Sequence, residues 1–167
     1  MTKGLEFRLL GPLEVLEHHA VLALGGSRQR CLFAALLLRA NEPVSSDRLI
    51  DALWSGRAPP TAAKTIQVYV SRLRKELGEG RLVTRAPGYL LRVDPGELDL
   101  DRFERLLGEA RTDEPETAAR KLREALALWR GPALGDLAYE PFAQPEIARL
   151  EELRLVALEQ RIEADLA

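Results

Sequence analysis

Cysteine, histidine and long apolar runs are nearly absent from this sequence. With Cys31 as the only cysteine, the chain can form neither an internal disulfide framework nor a cysteine-based zinc site. The longest apolar run, CLFAALLL, has eight residues, whereas a helix needs about 20 to cross a bilayer. The N-terminus also lacks the layout of a signal peptide. We therefore expect a cytoplasmic protein in which Cys31 is a buried, inert thiol.

Side chains that catalyse reactions or bind metals are also sparse. The pair His18-His19 has no further ligand at a suitable spacing, which is more typical of a turn than of a metal site. The pair Gly25-Gly26 lacks the lysine and hydroxyl residue of a phosphate-binding loop. Ser45 forms no recognisable nucleophile and base arrangement with the histidines. The sequence therefore predicts no enzyme, no metal site and no cofactor.

Positive and negative charges are separated along the chain. Residues 1–96 hold 14 Lys and Arg against 9 Asp and Glu, a net charge of +5, whereas residues 97–167 hold 10 against 17, a net charge of −7. Such asymmetry indicates that the first part meets a polyanion while the second stays off it, although two differently charged surfaces without nucleic acid remain an alternative. The chain is long enough for two small domains, and we predict the boundary at residue 96.

The chain begins with short strands. Segments 5–10, 13–16 and 20–24 are rich in β-formers or alternate in polarity, and turn residues separate them. They predict a small antiparallel sheet. Ser27 can then cap a helix over residues 28–39, which has apolar residues at helical spacing and is the expected scaffold of the domain.

Two further elements frame the middle of the chain. Ser45 or Ser46 can begin a short helix that contains the sequence DRLIDALW, with one apolar face. Residues 81–93 predict two strands around Ala86-Pro87-Gly88, with Arg85 at the tip of the hairpin. Between them lies the most informative helix of the sequence.

That helix is predicted from Thr61 to Leu77, and its side chains separate into two faces on a helical wheel. One face is an apolar stripe about 100° wide, as expected of a helix that faces a core. The stripe consists of Ala62, Ile66, Tyr69, Val70, Leu73 and Leu77. The opposite face is basic and free of acidic residues, and consists of Lys64, Val68, Ser71, Arg72 and Lys75. A solvated surface helix usually mixes both signs of charge, so this face favours contact with nucleic acid.

From Asp99 onward the sequence predicts only helices, over residues 100–111, 116–131 and 145–167. Thr112 or Asp113 can cap the second of these helices, with Pro115 in its first turn. Paired amphipathic helices of this kind indicate a helical-repeat array. The array stops without a cap, so we expect a longer protein or a second copy that covers the open end.

The order of the elements sets the fold class, which is mainly α with a small β component. Short strands, two helices, a turn, a longer basic helix and a terminal hairpin form a winged helix-turn-helix DNA-binding domain over residues 1–96, with the hairpin as the wing. For residues 97–167 we expect a truncated, all-α helical-repeat domain that resembles tetratricopeptide repeats.

Specific segments also carry a family resemblance. LIDALWSGRAPPTAAKTIQVYVSRLRKEL, followed by APGYLLRV, resembles the DNA-binding half of the Streptomyces antibiotic regulatory protein family, an OmpR-type winged helix. FERLL, AARKLREALALWRGPALGDL and the long third helix resemble that family's bacterial transcriptional activation domain, in part. The resemblance covers nearly the whole chain. The family's activation domain is longer than the stretch present here, and no receiver domain precedes the winged helix.

The resemblance implies a sequence-specific activator of secondary-metabolite genes, located in the cytoplasm at the nucleoid. Its partners would be double-stranded promoter DNA with direct repeats, RNA polymerase holoenzyme and a second copy of the chain on the repeats, with no membrane. The loop that contacts polymerase would lie at Trp54, Ser55, Gly56, Arg57 and Ala58. A second class of function stays open, which is a helical-repeat interaction scaffold or the N-terminal regulatory module of a larger signalling protein.

A helix in the major groove needs donors for phosphates and base edges and an apolar contact for the thymine methyl. Arg72 suits guanine, Val68 suits a thymine methyl, and Gln67 can reach adenine or a phosphate. The resemblance implies that Arg85 reaches from the wing toward the minor groove. The full set of expected DNA-binding residues is Lys64, Thr65, Gln67, Val68, Ser71, Arg72, Arg74, Lys75 and Arg85.

Overall fold

The computed structural model describes residues 4–167, which form six α-helices and two small sheets. The first sheet is antiparallel and runs in the order β1 (Leu5–Arg8), β2 (Glu14–Glu17) and β3 (Ala20–Val21). Burial alternates along β1, so that Leu5 and Phe7 enter the core. The predicted sheet is confirmed, with shorter strands than the sequence pattern indicated.

Helix α1 (Ser27–Leu37) is the scaffold of the first half, because most of its residues are buried. Ser27 is its first residue rather than its cap, since Gly26 occupies the N-cap position and no side chain caps the helix. Helix α2 (Ser46–Trp54) has the cap predicted for it. The Ser45 hydroxyl accepts a hydrogen bond from the backbone N–H of Arg48 at 3.1 Å.

The second sheet joins the hairpin to a strand that precedes α2. Helix α3 (Ala62–Leu77) leads into β5 (Leu82–Arg85) and β6 (Gly88–Leu91), the two strands predicted for the hairpin. Strand β4 (Val44–Ser45) pairs antiparallel with β6, which gives the order β4-β6-β5. The sequence pattern did not predict β4, because two residues are too few to show an alternation.

The second half consists of α4 (Asp99–Ala110), α5 (Pro115–Ala127), a short 3-10 helix (Gly135–Leu137) and α6 (Gln144–Leu166). The three predicted helices are confirmed and pack in chain order, α4 on α5 and α5 on α6. Trp129 is buried and meets Phe103 edge to face, with the ring centroids 5.6 Å apart. Trp129 is therefore a packing residue of the helical half.

The predicted caps of α5 are wrong. Glu114 occupies the N-cap position and Pro115 begins the helix, with no side-chain cap. Proline fits this first position because its fixed φ is helical and its missing N–H would be unsatisfied there. Asp113 lies one residue before the N-cap position, and its carboxylate lies 2.8 Å from the Lys121 ammonium.

The two halves meet along the first sheet. The carboxylate of Asp99 is buried and accepts hydrogen bonds from the backbone N–H groups of Leu9 and Leu10, at 3.0 Å each. Burial raises the pKa of Asp99, although these hydrogen bonds oppose the shift. Arg130 donates from its backbone N–H to the Leu10 carbonyl, and Arg30 of α1 forms an ion pair with Asp136.

A buried ion pair crosses the predicted boundary at residue 96. Arg81 is 1% exposed, and its guanidinium donates to the carboxylate of Glu97 at 2.7 Å. Burial would raise the pKa of Glu97, but hydrogen bonds from Arg81 and from the backbone N–H groups of Asp94 and Leu5 lower it below its usual value. One continuous cluster of buried side chains extends through both halves. The division into domains at residue 96 stays a prediction.

The cysteine and histidine side chains considered above for disulfide or metal chemistry lie in structural positions. Cys31 is buried in α1, and burial raises the pKa of its thiol to about 12, so it is the inert thiol that the sequence predicted. His18 and His19 form the turn between β2 and β3, with left-handed φ values of 49° and 68°. Within residues 4–167, no three potential ligands gather to hold a metal ion, and no helix has both the length and the apolar character to cross a membrane.

Candidate nucleic-acid interface

Helix α3 divides its side chains between the core and the solvent. Its buried residues pack under α1 and α2, and they are Ala62, Ile66, Val70, Leu73 and Leu77. Tyr69 is half-buried beside them. The apolar stripe predicted from the helical wheel is confirmed, and it fixes the rotation of the helix about its axis.

The opposite face of α3 is exposed and carries no Asp or Glu. Val68 is 41% exposed, an unusual position for a β-branched apolar side chain. Glu76 is the acidic residue of the helix and is half-buried. The exposed residues predicted for DNA contact are Lys64, Gln67, Val68, Ser71, Arg72, Arg74 and Lys75. We call this set, without Arg74, the outer face of α3.

Two of the predicted residues make contacts within the protein. The Thr65 hydroxyl donates to the Thr61 carbonyl at 3.1 Å, and the side chain is half-buried. Arg74 donates from Nε to the Leu82 carbonyl at 2.8 Å and from Nη2 to the Thr84 hydroxyl at 2.9 Å. Its guanidinium also lies 5.9 Å from the centre of the Tyr89 ring. Arg74 therefore holds the hairpin against α3, a role that sequence reasoning missed.

The hairpin packs closely against β4 and the start of α2. A Cβ atom added to Gly88 would lie 1.9 Å from the Val44 carbonyl oxygen, so the pairing of β6 with β4 requires glycine at this position. Sequence reasoning assigned Gly88 to a turn. The Gly-Tyr pair in the hairpin was the available signal, but it does not reveal which strand approaches the glycine.

Arg85 lies at the tip of the hairpin, directly opposite Gly88 in the strand register, and is exposed. In the part of the chain that the structure describes, no carboxylate forms an ion pair with Lys64, Arg72, Lys75 or Arg85. These cations are therefore not neutralised locally. The outer face of α3 and the hairpin tip present positive charge that a polyanion can reach.

The loop between α2 and α3 has a packed start and an exposed remainder. Trp54 is the last residue of α2 and half-buried, with the Arg28 guanidinium 5.4 Å from its ring centre. Ser55 and Gly56 then adopt left-handed backbone angles, with φ values of 49° and 83°. Residues 55–61 are exposed. Trp54 therefore anchors the loop, and its exposed part begins at Ser55.

The geometry suits a duplex better than a small ligand. A helix with an exposed, cationic, hydrogen-bonding face can enter a major groove, and a hairpin with an arginine at its tip can follow the backbone into the adjacent minor groove. Hydrogen bonds from Arg74 fix the hairpin relative to α3, and the close approach at Gly88 fixes it against β4. The two contact elements therefore form one preorganised surface.

Comparison with known families matches both halves of the chain. The domain described as "Transcriptional regulatory protein, C terminal" matches residues 23–91. The bacterial transcriptional activator domain matches residues 98–167. All the residues of the outer face of α3 and of the hairpin lie within the first match.

Curated relatives match over nearly the whole chain. Regulatory protein AfsR of Streptomyces coelicolor is 41% identical over 98% of this chain and 17% of its own length. Transcriptional regulatory protein EmbR of Mycobacterium tuberculosis is 39% identical over the full chain and 46% of its own length. Regulatory protein DnrI of Streptomyces peucetius is 36% identical over 97% of the chain and 65% of its own length. The chain thus spans less than two thirds of each of these relatives.

A solved structure agrees with the fold. The structure of Mycobacterium tuberculosis EmbR in complex with a low-affinity phosphopeptide superposes with a TM-score of 0.92 at 36% identity, and covers 98% of this chain and 46% of that one. The resemblance inferred from the sequence is confirmed. The chain matches an OmpR-type regulatory domain followed by a bacterial transcriptional activator domain, in the order that the resemblance to the Streptomyces antibiotic regulatory protein family predicted.

Proposed function

We propose that the chain is a sequence-specific DNA-binding transcription regulator, and not an enzyme, which reads promoter DNA through the outer face of α3. The observation that carries the proposal is the combination of exposed cations, an exposed valine and no carboxylate on that face. Arg72 pairs with guanine, Val68 contacts a thymine methyl, and Lys64 and Lys75 contact phosphates.

The relatives support a finer version of this function. Their names describe regulatory proteins, and the second half of the chain matches an activator domain. We propose that the protein activates secondary-metabolite genes from direct repeats in promoters, with two copies on adjacent repeats. It acts in the cytoplasm at the nucleoid and contacts RNA polymerase through the exposed loop over residues 55–61.

The DNA-binding proposal is tested by selecting sequences from a random duplex pool with the purified chain, followed by anisotropy titrations at fixed salt. We expect an enriched motif, and an affinity for it at least about 10³-fold higher than for unrelated DNA. An enriched motif that occurs twice in tandem would support the direct-repeat arrangement.

The same selection distinguishes a DNA-reading protein from the second class of function, an interaction scaffold. An interaction scaffold without DNA affinity gives no enriched sequence, and its binding to any duplex disappears at physiological salt. That result would remove the DNA-reading role from α3 and leave the helical half as the functional surface.

The polymerase contact has its own test in a reconstituted transcription assay. Arg57 is exposed in the loop and has no ion pair in the described part of the chain. We expect Arg57→Glu to lower transcript output while promoter occupancy, measured by footprinting, stays unchanged. Arg120→Glu, an exposed arginine of α5, is the matched control. An equal loss of output in both variants would show a general charge effect and remove the loop from the contact.

A further inference from the structure

A cleft of about 660 Å³ lies between the two halves, outside the DNA-binding surface. One wall comes from α1, β4 and α2, and the other comes from the start of α6 and the segment before it. Its volume falls in the range of small-molecule sites, about 300–1,000 Å³. Because the walls belong to different halves, an occupant would touch both at once.

Part of the cleft lining is apolar, which we call the floor, and the rest is polar. Ala35, Leu38, Ala52 and Phe142 line the floor, and all four are half-buried hydrophobic residues that pack against the core. The two alanines leave space where larger side chains would fill the cleft. An apolar body can therefore displace water from these side chains, provided that its polar group faces the rest of the lining.

Arginines and carboxylates share the rim. Arg39 and Arg48 are exposed and form no ion pair with any carboxylate among residues 4–167, whereas Arg149 is held by Glu146 at 3.2 Å and Glu104 at 3.7 Å. Arg39 and Arg48 are therefore the cations available to an incoming anion.

The carboxylates of the rim limit the charge of the occupant. Glu42, Asp51 and Glu146 also line the cleft. A di- or triphosphate would be repelled by these groups, whereas a single anionic group can pair with Arg39 or Arg48 and keep its distance from them. Charge and shape together select an apolar molecule with one negative charge.

We propose that this cleft is a binding site for an amphipathic monoanion, an apolar ring system that carries one carboxylate or sulfonate. The apolar body lies on the floor between α1, α2 and Phe142, and the anionic group pairs with Arg48 or Arg39. The binding step does not depend on the proposed function, and it is measured without DNA.

The probe for the test is 8-anilinonaphthalene-1-sulfonate, which has an aromatic body and one sulfonate. Titration of the whole chain, followed by fluorescence, should show a single saturable site with a dissociation constant on the order of tens of micromolar, as expected for a molecule of this size. The uncharged N-phenyl-1-naphthylamine should bind at least several-fold more weakly. Equal affinity for both probes would overturn the anionic part of the proposal.

Variants locate the site. Ala52→Trp, and independently Ala35→Phe, should fill the floor and weaken probe binding at least ten-fold, with folding checked by circular dichroism and thermal melting. Arg48→Gln should weaken binding several-fold, whereas Arg48→Lys keeps the charge and should bind within two-fold of the wild type. Arg120→Gln is the matched control for charge, and Leu155→Gln removes an exposed apolar side chain of α6 away from the cleft.

Three outcomes would overturn the proposal. The first is the absence of saturable binding up to the solubility limit of the probe. The second is unchanged binding by a folded Ala52→Trp or Ala35→Phe variant. The third is loss of binding in Leu155→Gln, which would place the probe on the exposed face of α6 instead of the cleft.

Discussion

The two halves of the molecule treat their basic side chains differently. In the helical half most Lys and Arg residues form ion pairs, for example Lys121 with Glu109 and Asp113, and Arg123 with Asp165. In the winged half most Lys and Arg residues have no carboxylate partner within the described residues. None of the cations on the outer face of α3 has such a partner. Net charges of +5 and −7 understate this difference, because they do not show which charges are already neutralised.

Local neutralisation, more than net charge, distinguishes a surface that suits a polyanion. A cation held by a carboxylate must break that pair before it binds a phosphate, whereas an unpaired cation releases only counterions. The exceptions in the winged half are Arg8, Arg30 and Arg81, and of these three only Arg81 is buried. Arg81 is buried and paired with Glu97, so its charge serves the fold and is not available to DNA.

The largest expected effect concerns the buried exception, Arg81. Arg81→Met leaves the Glu97 carboxylate without its partner and should lower the free energy of unfolding by about 3–5 kcal/mol, measured by urea denaturation. Arg81→Met combined with Glu97→Met should recover much of the loss, because it removes both charges of the pair. Arg92→Met, an exposed neighbour, is the control and should stay near the wild type. Equal stability of the Arg81 and Arg92 variants would show that the Arg81–Glu97 pair does not stabilise the contact between the two halves.

The next effect compares two exposed arginines, one from each half. Arg72→Ala should lose about 1–3 kcal/mol of affinity for the selected DNA site and relax the preference at one base pair. Arg120→Ala should leave both unchanged, because its helix belongs to the acidic half. Anisotropy titrations on the selected site and on its single-base variants measure both quantities. If Arg72→Ala keeps full affinity and full preference, α3 does not read bases through this residue.

The two faces of α3 were predictable from sequence because burial along one helix leaves a periodic signal. Ile66, Val70 and Leu73 recur at helical spacing, and the structure buries all three. The cap at Ser45 was also predictable, since it depends on neighbours three residues away. Such local rules explain why the order of the elements and the fold class could be read correctly.

Contacts between distant residues could not be read in the same way. Position 88 requires glycine because strand pairing brings its backbone close to Val44, which lies 44 positions earlier in the chain. No local sequence pattern records this approach. Arg74 stands on the edge of the basic face in the wheel, but only the position of β5 shows that its guanidinium holds Thr84. A charge count likewise treats Arg81 as a surface cation, although it is buried.

A smaller effect is expected from the hairpin tip. Arg85→Ala should weaken binding more when the flanks of the site are A·T-rich than when they are G·C-rich, because a narrow minor groove has the stronger negative potential. Titrations on two duplexes that share the selected core measure the difference. Equal losses on both duplexes would keep Arg85 as a phosphate contact and remove it from the minor groove. Arg92→Ala, exposed just after β6, is the control.

The smallest effect compares a free lysine with a neutralised one. Lys75 is exposed on α3 without an ion pair in residues 4–167, whereas the Lys121 ammonium lies 3.1 Å from Glu109 and 2.8 Å from Asp113. Each phosphate contact contributes about −0.9 to the slope of log K against log salt for duplex DNA, so Lys75→Ala should make the slope shallower by about that amount. The loss should be the same for specific and unrelated DNA, because a phosphate contact carries no sequence information. Lys121→Ala should leave the slope unchanged. A shallower slope in the Lys121 variant would mean that the helical half also contacts DNA, and that paired cations there are not excluded from the interface.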